Sequence, residues 1–248
     1  MATQKISCQH CDAPLKYSSG EIIVTCPYCG YTVVIDVGKP FTLKHSLLPS
    51  NFDEKRAINI VKSWMNASFI APIGLSLRAK FTDIHLYFLP FWIIILDAVS
   101  KYRGLFERMG PRVEKKGNIN KRYNWVVFTQ RKTEFPTREF DIPIEGRMPY
   151  DFRKIPEGAK VLNSEIGENE AIEIAKQQIR NDHQFLAKQE ADRLIEIETT
   201  FKVDDIYYLH APVWIMRYKY KGKNYQVFLD GCRGEIIKGD IPAGSGYF

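Results

Sequence analysis

The chain has 248 residues, 45% of them hydrophobic, with a formal net charge of +6. That much apolar residue supports one large or two medium cores and excludes a disordered or collagen-like chain. Five cysteines are too few for a disulfide scaffold at this length, and four of them sit in two tight pairs, a pattern of metal binding in a reducing compartment.

The pairs are Cys8, Cys11 and Cys26, Cys29, spaced C-x2-C, fourteen residues, C-x2-C. Two residues between paired cysteines let both sulfurs of one tight turn reach a single ion. Two such turns facing each other give tetrahedral thiolate coordination at about 2.3 Å per bond. All four positions are then filled by protein, so the expected ion is one structural Zn2+; iron or a redox-active dithiol are the alternatives. Pro14, Gly20 and Gly30 mark turns, and the runs EIIVT and YTVVID read as strands. His10, between the first pair, cannot easily share the ion and reads as a surface residue. The opening residues MATQKISCQHC hold no apolar run, so no signal peptide is expected.

The segment CQHCDAPLKYSSGEIIVTCPYCGYTVVID resembles the zinc ribbon that opens transcription-initiation-factor-B-like proteins and many ribosomal proteins. The resemblance covers residues 6–36. It implies a β-ribbon docking on a large assembly and does not name the assembly.

Past a linker, set at 38–50, FDEKRAINIVKSWMN places Ala57, Ile60, Val61, Trp64 and Met65 on one helical face, with Asn51 or Asp53 as the start signal. Ile84 to Leu96 reads IHLYFLPFWIIIL. It is too short for a membrane-spanning helix, which needs roughly 20 apolar residues, and its β-branched and aromatic content predicts a buried strand.

Ten Lys or Arg follow: Lys101, Arg103, Arg108, Arg112, Lys115, Lys116, Lys121, Arg122, Arg131 and Lys132, opposed only by Glu107 and Glu114. The window 101–132 therefore carries +8 against +6 for the whole chain. Tyr102, Phe106, Tyr123 and Trp125 are interleaved. The centre, MGPRVEKKGNINKR, reads as a long basic loop between two strands and as a candidate nucleic-acid-binding element. The bland reading is a solvated loop.

ENEAIEIAKQQIRNDHQFLAKQEADRLIEIE reads as a helical region from about Glu168 to Glu198. The end of the chain, from APVWIMRYKYKG, reads as strand, turn at Lys221-Gly222, strand, turn at Asp230-Gly231 and a short strand. Exposed Arg217, Lys219, Lys221 and Lys223 alternate there with Met216, Tyr218 and Tyr220.

Several fragments recur. Asp83-Ile84 and Pro90-Phe91-Trp92 match Asp205-Ile206 and Pro212-Val213-Trp214 at an offset of 122, and Tyr102-Arg103-Gly104 matches Tyr220-Lys221-Gly222 at 118. The expected class is α+β: a zinc ribbon at 1–37, then two diverged helix-plus-antiparallel-sheet repeats at 51–155 and 156–248. A ribbon followed by two P-x-W units resembles a group of prokaryotic zinc-ribbon proteins, and the tail loosely resembles PepSY-type modules. Neither resemblance carries a catalytic residue. Trp92 and Trp214 read as core residues.

The five histidines show no metal-ligand spacing, and no Walker loop or G-x-S-x-G is present. Cys232, in the turn DGCRG, reads as incidental. The expected function is a non-enzymatic binding protein of the cytoplasm, docking on a ribosome or RNA first and a transcription complex second. The ribbon, nearly neutral, would touch protein unless Tyr17, Tyr28 or Tyr31 stack on bases. An enzyme with a site between the repeats and a pure protein scaffold are the competing classes.

Overall fold

The computed structural model describes residues 3–18, 21, 23–29, 31–34, 45–107, 111–131 and 135–243. The N-terminal ribbon consists of two antiparallel hairpins, β1 (Thr3–Ser7) with β2 (Pro14–Ser18) and β3 (Ile23–Thr25) with β4 (Thr32–Val34). Next come β5 (His45–Leu47), α1 (Glu54–Ala67) and α2 (Leu75–Arg78). Two very long strands dominate the rest: β6 (Lys80–Phe106) and, after β7 (Val113–Phe128), β8 (Met148–Pro149), β9 (Lys160–Val161) and α3 (Glu168–Glu190), the strand β10 (Arg193–Tyr220). β11 (Lys223–Asp230) and β12 (Ile236–Gly239) close the chain's sheet. With 47% strand and 23% helix, the class is mixed and strand-dominated, richer in strand than the α+β expectation.

β6 and β10 pair antiparallel along nearly their whole length, and each carries its own hairpin partner, β7 on β6 and β11 on β10. The two hairpins therefore share one sheet. Pro90 and Pro212 survive inside the long strands because each lies just past the end of its hairpin. The last ladder pairs are Phe91 with Phe128 and Val213 with Asp230. Beyond them no ladder needs the missing N–H. The Pro90 carbonyl still accepts from Thr129 N–H at 3.3 Å, and Pro212 from Gly231 N–H at 2.9 Å.

The centre of β6 is buried on both faces, as Phe88, Phe91, Trp92, Ile93 and Ile94 show. One face takes the helices. α1, capped by Asp53, whose side chain accepts from Arg56 N–H at 2.8 Å, lays Ala57, Val61 and Met65 against Phe88, Trp214 and Met216. α3 lays Ala171, Ala175 and Ile179 against Trp92, Ile94 and Tyr123. The opposite face takes Phe140, Ile142 and Ile144 from the segment after β7, together with Ile237 of β12.

Local bonds recur on the two sides. Leu48 N–H donates to His210 O at 3.0 Å, and Leu162 N–H to Phe88 O at 3.1 Å. Asn51 N–H donates to Gly231 O at 2.8 Å, and Glu165 N–H to Thr129 O at 2.9 Å. Each short segment before a helix thus bonds to a long strand and to the residue just past a hairpin, the segment before α1 at β10 and Gly231, the segment before α3 at β6 and Thr129.

Three expectations change. The region 113–128 is strand, because its residues find ladder partners on β6 from Phe106 to Phe91; the expected basic loop is a paired strand from Val113 onward, and Met109 and Gly110 lie outside the described residues. The long helix stops at Glu190, since from Arg193 onward the chain pairs with β6 from Leu105. Residues 45–47, expected within a linker, form β5, which pairs parallel with Tyr208–His210 of β10. The final hairpin is as expected: Lys221 and Gly222 both have positive φ (46° and 76°), the geometry of a two-residue turn matched to strand twist. No helix among the described residues is long and apolar enough to cross a membrane.

Candidate metal centre

The two C-x2-C turns face each other. Cys8 and Cys26 are buried, Cys11 and Cys29 face outward, and the four sulfurs lie within 4.8 Å of one another. The Cys8–Cys29 and Cys11–Cys26 sulfurs are 3.6 and 3.7 Å apart. Four sulfurs at about 2.3 Å from a tetrahedral ion would be separated by about 3.8 Å. The thiolate set and its spacing thus fit one zinc ion held by Cys8, Cys11, Cys26 and Cys29, closed to further ligands.

Backbone bonds shape each turn. Asp12 N–H donates to Cys8 O at 2.8 Å, with Asp12 at φ 57°, and Cys26 N–H donates to Tyr31 O at 2.8 Å. Burial pushes the Cys8 thiol up, but the N–H groups of Cys11 and His10 and the neighbouring sulfurs outweigh it and bring it down to about 7. Burial, reinforced by the nearby sulfurs, pushes Cys29 up to about 12. Four thiolates this close need a cation among them, and metal binding releases their protons.

The ribbon is seated on the body. Ile23 and Ser164 exchange backbone hydrogen bonds at 3.3 and 3.2 Å. Asn163 accepts from Thr25 N–H at 3.2 Å and donates to Glu21 at 3.1 Å. The Ile23 side chain is buried in the cluster of Trp92, Ile166 and Tyr208.

Beside this bridge runs a buried polar chain. Leu162 O can only accept, so His210 Nε2, 2.8 Å away, carries a proton. Neutral His210 therefore accepts at Nδ1 from His45 Nε2–H at 2.7 Å, and His45 Nδ1 accepts from the Thr32 hydroxyl at 2.7 Å. Tyr150 stacks on His45 with ring centroids 3.9 Å apart. The two rings cannot both be charged, because His45 Nε2–H would then face His210 Nδ1–H. Burial drives both histidines down, His210 to about 4 and His45 well below 6.5, where the charge on His210 would add to the effect. These histidines lie 165 residues apart, and no spacing in the sequence links them.

A depressed histidine pKa means that the unfolded chain binds protons first. Stability is complete above about 6.5 and is lost as pH falls from there toward about 4. We expect a loss of up to about 1.4 kcal/mol per pH unit for each histidine. Urea titrations at several pH values in that interval check this; the dependence should be flatter in His45→Gln than in wild type.

The cations flagged in the sequence are placed mostly on β6 and β7, and most meet carboxylates. Arg122 lies 3.2 Å from Asp97 and 2.5 Å from Asp204; Lys115 is 2.6 Å from Glu190; Arg112 is 2.9 Å from Glu107; Arg131 is 2.7 Å from Glu170. Lys121 reaches Asp182 at 3.9 Å, and Arg103 lies near Glu114 and Glu196. Among the described residues Lys101 and Lys116 have no carboxylate at ion-pair distance. Arg108 and Lys132 fall outside the described residues. Such exposed pairs add little stability, but they cancel the local field. Arg122→Glu would place a third carboxylate beside Asp97 and Asp204, and a lower urea midpoint is expected; Lys116→Glu should leave it unchanged.

Trp92 is fully buried and donates from Nε1 to Ile166 O at 2.9 Å; Trp214 is also buried. Cys232 accepts a long contact from Asn51 at 4.0 Å, and burial together with Asp230 raises its thiol, the opposite of an activated nucleophile. No family model, curated protein or solved structure matches the chain.

Proposed function

We propose that the chain is a non-enzymatic docking protein of the cytoplasm that attaches to a nucleic-acid-containing assembly, a ribosome or other RNA first and a transcription complex second. The observation that carries this reading is the seating of the four-cysteine ribbon. Its inner edge is bonded to Ser164, Asn163 and His45, while Tyr28 and Tyr31 stay outward, 68% and 42% exposed. His10 stacks on Tyr31 with centroids 5.7 Å apart. A ribbon fixed on one side and aromatic on the other suits a protein surface or an unstacked base. The ion-paired state of β7 weighs against phosphate as the main contact, because each pair must open before a phosphate can take the cation.

We also infer that the two halves descend from a duplication. The recurring P-x-W, the paired bonds of Leu48 and Leu162, and the matching helix stripes Ala57-Val61-Met65 and Ala171-Ala175-Ile179 support it.

The test is co-purification of the tagged protein from its native cell, with and without nuclease, followed by sucrose-gradient sedimentation at low and high salt. Tyr28→Ala/Tyr31→Ala should lose the association with zinc content unchanged. Wild type remaining at the top of the gradient, with no shift on adding RNA or DNA, would overturn the nucleoprotein reading.

A further inference from the structure

The strongest unexplained surface lies between α1 and β6. Phe69, Ile70, Ile73 and Leu77 are exposed at 105%, 65%, 94% and 90%. Four large apolar side chains standing in water within nine residues is a patch, not the scatter of a normal surface. The segment is held in place. Leu75 is buried in the core cluster beneath it, and the buried Ser76 hydroxyl donates to Asn66 at 2.6 Å. Ala71 N–H donates to Ser68 O at 3.2 Å and Leu75 N–H to Pro72 O at 3.0 Å, while Gly74 supplies the positive φ of 70° that turns the chain into α2. The Arg78 guanidinium closes the turn on the carbonyls of Gly74 and Ile73. The apolar side chains project from a fixed turn.

The charge beside this loop differs from that on β7. Arg78 lies 5.8 Å over the Tyr220 ring, and Lys221 lies 5.7 Å over the same ring, which brings the β10–β11 turn next to the loop. Lys80 and Lys219 stand directly opposite each other in the ladder, a destabilising pairing of like charges. Lys223 pairs with Tyr220 at the same turn. All five cations are exposed. Among the described residues none of them has a carboxylate at ion-pair distance; the neighbouring Asp83 is engaged by Arg217 and His85. Five unpaired cations thus surround a protruding apolar loop at this end of the sheet.

We propose that this end is a membrane-surface anchor: Phe69, Ile70, Ile73 and Leu77 enter the headgroup and upper acyl region of a bilayer while Arg78, Lys80, Lys219, Lys221 and Lys223 contact anionic lipid headgroups. The protein lies on the bilayer and does not span it. Apolar burial and attraction of basic side chains to anionic lipid are the two terms of interfacial binding, and each alone gives only weak attachment. A nucleic acid would use the cations but has no place for three aliphatic side chains. A partner protein would use the apolar loop but has less need of five unpaired cations at its rim.

Co-sedimentation with lipid vesicles tests the anchor on the full zinc-loaded chain. Binding to vesicles of phosphatidylcholine with phosphatidylserine is expected, with at least roughly ten-fold weaker binding to phosphatidylcholine alone and a fall at high salt. Phe69→Ser/Ile73→Ser/Leu77→Ser and, separately, Lys219→Glu/Lys221→Glu should each lose at least roughly ten-fold. Both sets alter exposed residues only, and circular dichroism melting confirms that they fold. No binding to the anionic vesicles overturns the proposal. So does full retention by the apolar variant, which would leave only surface charge. A wild-type dimer that the apolar variant converts to a monomer, with no vesicle binding, would assign the patch to a second copy and also overturns it. Because the read-out is lipid binding, failure here leaves the docking of the ribbon untouched, and failure of the docking leaves the anchor.

Discussion

Cys26→Ser is expected to release the metal, unfold the ribbon and weaken the body. Among the described residues, the ribbon's own core is Cys8, Leu15, Val24, Cys26 and Val33 with a few partly buried neighbours. So small a core cannot stand without a staple, and structural zinc supplies on the order of 10 kcal/mol of folding free energy in comparable modules. With three thiolates left, that contribution falls away. The body holds three larger clusters of its own and should stay folded. It should nevertheless lose stability. Without the ribbon, Ile23 no longer covers the Trp92 cluster, the Ser164 backbone bonds open, and His45 loses the hydroxyl of Thr32. Each buried hydrogen bond left unmet costs about 1–3 kcal/mol. Amide exchange should therefore rise at residues 163–166 as well as in the ribbon, while the overall melt stays cooperative at a lower Tm. Full zinc content in the variant would contradict this.

Trp92→Ala should cost about 3–5 kcal/mol, the range for emptying a large buried aromatic site. The indole packs between α3 and the sheet, contacts Tyr208 with ring centroids 5.1 Å apart, and bonds Ile166 O. Its loss removes one of the two donors to that buried carbonyl and leaves the Ser164 hydroxyl, at 2.8 Å, as the other. Trp214→Ala should cost less than Trp92→Ala. Its side chain fills the α1 cluster, but its Nε1 finds no partner among the described residues, so only packing is lost. Urea unfolding at neutral pH gives both numbers, and near-wild-type midpoints for both variants would reject the core assignment.

The four-cysteine cluster is legible in the sequence because its information is local: two residues between cysteines set the geometry of a turn. The sequence also shows the centre of β6 because a run such as Phe91-Trp92-Ile93-Ile94 can only be buried on both faces. It misled at 113–128. Gly117 and the asparagines there read as loop punctuation, yet Gly117 is required because a Cβ would lie 2.3 Å from the Tyr102 hydroxyl across the ladder. The glycine marks a close approach inside a strand. The end of α3 is not legible for a related reason: Leu194, Glu196 and Glu198 carry residue types that suit a helix, and pairing with β6 overrides that preference. The charge surplus of 101–132 could be counted, but its neutralisation could not. Asp97, Asp182, Glu190 and Asp204 come from elsewhere in the chain, and only tertiary structure brings them to Arg122, Lys121 and Lys115. The histidine chain from Thr32 to Leu162 was invisible for the same reason. So was the loop at 69–77, where Phe69, Ile70, Ile73 and Leu77 stand in solvent.

The central claim, a closed four-thiolate zinc site that organises the ribbon, is tested most directly by elemental analysis of freshly purified wild type combined with X-ray absorption at the zinc edge. The account predicts one zinc per chain, with sulfur alone in the first coordination sphere at about 2.3 Å. Less than half an equivalent of zinc, or nitrogen or oxygen among the first-sphere ligands, would contradict it.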